Sequence, residues 1–205
     1  RAPRLQPDST WVASNMFDLQ IRTGQWLDAR VTCDDLARSS LIGKDDAKRR
    51  KAVLSYHLSL LAQDTGDGEV ALGHLRDANK LAPGFIPAVV DLAGRWGDGG
   101  KAKKAAKLIE EAWSAAPHQD LLGPYWRALN ASDALERVRA TEKLVEKQSR
   151  HLESLIALAR ASLEARLWGE ARQYLEQALA AAPLPQARLC RMTAALEEIE
   201  NADSG

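Results

Sequence analysis

The sequence predicts an all-α solenoid of antiparallel helix pairs, and three observations carry that prediction. Residues recur at one offset: Leu58 and Leu92, Gly66 and Gly100, Ala71 and Ala105, Ala78 and Ala112, and Pro83 and Pro117 are each 34 residues apart. The apolar content is 45% with only 5% aromatic, as in alanine- and leucine-rich helical proteins. Each recurring residue type also suits one place in a helix pair. Alanine at 71 and 105 lets the second helix approach the first, and alanine at 78 and 112 leaves room for the next pair. Pro83 and Pro117 stop the second helix, and Gly66 and Gly100 serve the turn between helices.

Thirty-four residues is the tetratricopeptide period, whose helix pairs stack into a right-handed solenoid. The elements follow in order as one solenoid domain over residues 1–205, with repeats over about 8–38, 47–83, 84–117, 119–148 and 151–183 and a last helix over 186–201. After a proline-containing lead-in, Asp8-Ser9 offers an N-cap for a helix to about Arg22, and Thr23-Gly24 makes the turn. The next helix places Trp26, Ala29, Cys33 and Leu36 at the repeat's inner positions. Ala29 to Ala71 is 42 residues, and the excess falls in Arg38–Asp46, which reads as a longer loop.

The helix from about Ala47 to Gln63 opens on the basic run Lys48 to Lys51. It carries an inward stripe of Leu54, Leu58 and Leu61, and a second stripe of Arg49, Val53, Tyr56 and Leu60. Its partner, about Glu69 to Leu81, turns Ala71, Leu75 and Ala78 inward. The third pair runs through Val90, Leu92 and Trp96, turns at Gly97–Gly100, and continues with Ile109, Ala112 and Trp113 inward. The fourth pair, Leu121–Leu129 and Asp133–Gln148, lacks the alanines and terminal proline, with Ser132 as cap for its second helix. The fifth restores the pattern with Leu158, Trp168, Ala171, Leu175, Ala178 and Pro183.

Basic and acidic side chains number 28 each, which gives no electrostatic footing for nucleic acid. No apolar run approaches the roughly 20 residues that cross a bilayer. The N-terminus has neither an initiator methionine nor a signal-peptide core, so the reading expects a fragment with further segments at both ends. Cys33 and Cys190 read as free thiols in a reducing compartment. His57, His74, His118 and His151 fall on different elements with no metal-ligand spacing, so they read as solvated or capping residues. No nucleophile elbow, phosphate loop or dinucleotide fingerprint is present, and the reading assigns no enzyme activity, no catalytic residue and no metal site. Trp26 and Trp168, just after a turn, and Trp96 and Trp113 read as packing wedges.

First helices line the groove of such a solenoid. That makes Arg49, Val53, Tyr56, Leu60, Val90, Arg95, Ile156 and Arg160 the candidate binding residues, an apolar floor with arginine edges suited to an extended peptide or a flat anionic ligand. Packing of Val53 and Leu60 against neighbouring helices competes with that role. The run Lys48–Lys51 opposes the dipole of the helix it opens, which leaves room for an anionic partner.

The segments Arg49–Leu54, Ala78–Pro83 with Pro87-Ala88, Ala112-Trp113, Pro117–Leu121, Trp168 with Ala171-Arg172, and Met192 with Glu197-Glu198 together resemble the C-terminal repeat region of the HemY family of bacterial haem-biosynthesis-associated membrane proteins. That family reads Pro-His-Pro-Asp-Leu where this chain has Gln119. The resemblance implies an upstream membrane anchor, a place on the cytoplasmic face of the inner membrane, and a non-enzymatic scaffold for haem-pathway enzymes. It leaves two alternatives: a direct haem or porphyrin carrier, with arginines on the propionates and Tyr56 or a histidine near the metal, and a membrane-anchored adaptor unrelated to haem.

Overall fold

The computed structural model describes residues 7–184 and 186–203. The lead-in over residues 1–6 and the terminal Ser204-Gly205 lie outside them. The described residues form eleven α-helices and no strand, in the order α1 (Pro7–Arg22), α2 (Trp26–Arg38), α3 (Lys44–Asp64), α4 (Gly68–Leu81), α5 (Ile86–Asp98), α6 (Ala102–Ala115), α7 (Leu122–Ala128), α8 (Ala134–Val145), α9 (Leu152–Glu164), α10 (Trp168–Ala181) and α11 (Ala187–Asp203). The chain forms two compact units, residues 1–92 and 93–205.

One turn recurs between helices. At Gly24, Gly66 and Gly100 the backbone is left-handed, with φ of 72°, 81° and 73°. The next N–H reaches back five residues, from Gln25 to Gln20, Asp67 to Ala62 and Lys101 to Trp96, at 2.7–2.8 Å. That bond closes a Schellman motif and satisfies a carbonyl that the helix end would orphan. Ser40, Asn130 and Arg166 take the same place with φ of 56°, 54° and 57°, and their followers Leu41, Ala131 and Leu167 make the same bond at 2.9 Å. Second helices end on the other expected signal. Ala82, Ala116 and Ala182 leave the helical region immediately before Pro83, Pro117 and Pro183, as the proline ring demands of its predecessor.

In the first unit α2 packs on both α1 and α3, and α3 on α4. Ala29, Cys33, Leu36 and Leu54 are buried together with Phe17. Cys33 occupies the register place of Leu75 four residues after the conserved-spacing alanine, and both are buried. The helix α3 begins at Lys44, three residues before the sequence reading puts it, with Gly43 extended before it and Asp45 and Asp46 in its first turn. The loop shortens accordingly, and the basic run sits inside the helix instead of opposing its dipole. Lys48 pairs with Asp45, Arg50 with Asp46 and Lys51 with Asp34. The inward stripe also differs. Leu61 is 49% exposed, while Ser55, Ser59 and Ala62 are buried beside Leu54 and Leu58. Because α3 is covered by two helices, its buried arc is centred one residue-step away from the leucine row.

In the second unit α6 packs on α7, α8 on α9, α9 on α10, and α10 on α11. Ala105, Ala112, Ala171 and Ala178 are buried, with Ile109 and Leu175 between them. The fourth pair is built differently. Its first helix is a 3-10 turn, Gln119–Leu121, followed by the seven-residue α7. Asp133, not Ser132, caps α8: its carboxylate accepts from the Glu136 N–H at 2.7 Å while Glu136 reaches back to the N–H groups of Ser132 and Asp133. This is a capping box, and aspartate three residues before a glutamate supplies it. His118 and His151 cap the 3-10 turn and α9, each accepting a backbone N–H on Nδ1 at 3.2 Å.

Three residues at the starts of successive first helices are joined along one edge of this unit. Gln119 donates its amide to the Glu153 carbonyl at 3.0 Å, and Arg188 grips the Glu153 carboxylate with both terminal nitrogens, Nη1 at 2.8 Å. Burial pushes the Glu153 carboxyl up, but the Arg188 and Gln119 donors outweigh it and hold the group below the usual glutamate range. The Gln119 amide is what supplies the first part of this link.

Candidate functional site

Of the eight residues singled out in the sequence, Arg49, Val53, Tyr56, Leu60 and Val90 belong to the first unit and Arg95, Ile156 and Arg160 to the second. Along α3, Arg49 and Val53 are exposed, and Tyr56 and Leu60 are half-buried. The Arg49 side chain makes no hydrogen bond or ion pair with a described residue. Tyr56 meets Phe85 edge-on at 5.6 Å and His57 at 5.9 Å, and His57 stacks on Trp26 at 4.0 Å with only 9° between the rings. Trp26 is therefore a wedge, as its place after the turn predicts, and the four rings form one continuous aromatic cluster. Burial lowers the His57 pKa and favours its neutral imidazole.

Burial first, then the Asp91 carboxylate and its hydrogen bond, push the Tyr56 phenol upward and favour its protonated form. Among the described residues no group of three or more His, Cys, Asp or Glu gathers at metal-binding distance.

In the second unit Ile156 is a correction. It is 2% exposed and packs in the core with Leu155, Ala159, Ala171, Leu175, Leu189 and Leu196. The helix α9 is covered on two sides, so a position that helical periodicity assigns to a groove is taken up by packing. Arg95 is half-buried, and Arg160 is exposed.

Arg160 belongs to a grouping that the motifs did not reveal. Trp126 on α7 is buried, and its indole N–H donates to Thr141 Oγ1 on α8 at 3.0 Å. Two guanidiniums lie near its ring, Arg137 at 5.4 Å and Arg160 at 5.9 Å from the centroid. Both reach one carboxylate, Glu164, at 3.4 and 3.2 Å. Arg137 also donates to the Ala131 carbonyl at 3.4 Å. Beside them opens a cleft of about 720 Å³, lined by Trp126, Arg127, Asn130, Ser132 and Arg137 among others. Arg127 is exposed there and makes no hydrogen bond or ion pair with a described residue. A signal was available: Trp126 lies 34 residues after Leu92 and 34 before Arg160, so the register runs through the degenerate pair.

These helix pairs, with their repeated turns and buried alanine columns, define a tetratricopeptide-type repeat protein. No family model matches the chain. It is 26% identical over 187 residues to the protein described as "Probable magnetosome protein Mms48" of Magnetospirillum gryphiswaldense, covering 90% of this chain and 40% of that protein. The chain thus spans about two fifths of the length of this curated relative. Among solved structures it is similar to PilF of Pseudomonas aeruginosa, with 14% identity, a TM-score of 0.45 and coverage of 96% of this chain and 86% of the other. It is also similar to MamA of Desulfovibrio magneticus RS-1, with 15% identity, a TM-score of 0.40 and coverage of 98% and 100%. Among the described residues no helix is long and apolar enough to cross a membrane.

Proposed function

We propose that this chain is a non-enzymatic interaction scaffold that docks extended protein segments on its first helices. The observation that carries this reading is the α3 row, where exposed Arg49 and Val53 continue into half-buried Tyr56 and Leu60. A row of this kind offers apolar contact beside an uncommitted guanidinium on a rigid element, as peptide-docking surfaces require. The test is a peptide array of varied charge and hydropathy, probed with the folded chain and with Arg49→Glu and Val53→Glu variants. Selective binders that lose at least about tenfold in affinity with either exposed-site variant support the reading. An array without selective binders overturns it.

The narrower version, from the HemY resemblance, makes the partners haem-pathway enzymes at the cytoplasmic face of a bacterial inner membrane. A magnetosome-associated scaffold is the version that the likeness to Mms48 supports. A generic adaptor fits the same surface. Binding measured against purified candidates from each setting separates the three.

A further inference from the structure

We propose that the Trp126 cleft in the second unit is a docking position for an acidic peptide segment, with Arg127 as the primary anchor and Arg137 as a pre-positioned second contact. The inference rests on the scaffold reading and names the chemistry of one of its partners. Three features converge. The chain as a whole carries no net charge, so the placing of Arg137 and Arg160 at the Trp126 ring and of Arg127 with Arg137 in the cleft lining is a local concentration of positive charge. Glu164 is the acceptor carboxylate for Arg137 and Arg160, and Arg127 has no carboxylate partner among the described residues. The Glu136 carboxylate is engaged by the Ser132 and Asp133 N–H groups and the Ser132 hydroxyl.

The arrangement is also organised in advance. Arg137 is held against the Trp126 face by the Ala131 carbonyl and Glu164, and Trp126 is itself fixed by Thr141. A guanidinium held in this way loses less freedom when it donates to a carboxylate. Arg127 supplies an unengaged fork at the same opening. Asn130 lines it too, and its amide offers both a donor and an acceptor to a peptide backbone. A peptide suits the open cleft better than a compact anion does, because an extended chain can set a carboxylate on Arg127 and backbone groups on Asn130 at once. Nucleic acid would need a wider basic surface than three arginines in a neutral chain.

The experiment measures fluorescence anisotropy of labelled peptides rich in Glu and Asp, their Gln and Asn counterparts, and a basic peptide of equal length. The full chain is compared with Arg127→Ala, Arg127→Lys and Arg49→Ala variants. Arg127 is exposed, so its variants should fold, and circular dichroism checks that they do. The expected result is binding of the acidic peptides alone, weakened about tenfold or more by Arg127→Ala, consistent with loss of a charge-assisted contact, and only partly restored by lysine. Raising salt from roughly 0.05 to 0.5 M should weaken it further. Equal binding of the Gln and Asn peptides overturns the proposal. Equal competition by inorganic phosphate assigns the cleft to free anions and overturns it as well. Loss with Arg49→Ala but not Arg127→Ala moves the site to α3, which refutes this inference and leaves the scaffold reading standing. No acidic binding, alongside selective binders of another chemistry on the array, does the same.

Discussion

Cutting the Arg188–Glu153 link tests the central claim about the second unit, that its successive first helices are tied by a partly desolvated ion pair. The Glu153 side chain is 17% exposed and Arg188 36%, so the pair lies between a surface bridge, worth about 0–1 kcal/mol, and a buried one, whose rupture costs about 3–5 kcal/mol. Two parallel charge-assisted bonds, discounted for the half-open arginine, lead us to expect a coupling of about 1–2 kcal/mol. The assay is a double-mutant cycle of Glu153→Ala, Arg188→Ala and the pair, by urea unfolding. The pH dependence follows in sign. Because the folded chain holds the Glu153 carboxyl below its unfolded value, it binds fewer protons than the unfolded chain in that window. The stabilisation is therefore full above the ordinary glutamate range and is lost as pH falls through the depressed folded value. Arg188→Ala should flatten that acid limb. A coupling below about 0.3 kcal/mol, the scale of an exposed helix pair, would refute the reasoning.

Four further outcomes follow from the geometry. Arg166→Gly should stabilise the chain by about 1 kcal/mol in urea unfolding, because a β-carbon is strained at its φ of 57°. Asp133→Ala should cost about 1 kcal/mol and Ser132→Ala only a few tenths, which distinguishes the observed cap from its neighbour. Tyr125→Phe should cost about 1 kcal/mol, since the buried hydroxyl donates to Glu110 at 2.7 Å; in the parent chain this phenol should be a late one to ionise in an ultraviolet titration, because burial and Glu110 push it upward. A thiol reagent should label exposed Cys190 at once, while Cys33, buried and with its thiol pushed up by desolvation, should react only as the chain opens.

The fold was legible where a residue type had one physical reason to recur. Ala71, Ala105 and Ala171 are wholly buried, and no larger side chain fits where two helix axes approach so closely. The left-handed turn was legible at Gly24, Gly66 and Gly100 but not at Ser40 or Arg166, because the surrounding motif can force a residue into a conformation that its own propensity opposes. The basic run at 48–51 was misjudged because Asp45 and Asp46 extend the helix backwards, and the start of a helix is decided by such local competition. Ile156 shows a deeper limit. Periodicity identifies a face, but a helix covered on two sides buries more than one, and only packing decides which face stays open. The Trp126 cleft escaped notice because the fourth pair lacks the alanines and proline that mark its neighbours.

That fourth pair also has the shortest first helix of the chain, seven residues where α5 and α9 have thirteen. A regular stack of equal rods presents a smooth wall. Here the opening beside Trp126 is lined by α7, the loop that follows it and the start of α8. The short helix and its own turn thus make the cleft between them. In arrays of this kind, the short and irregular member becomes the place to look for individuality, because it alone has given up the uniform outline that the others maintain.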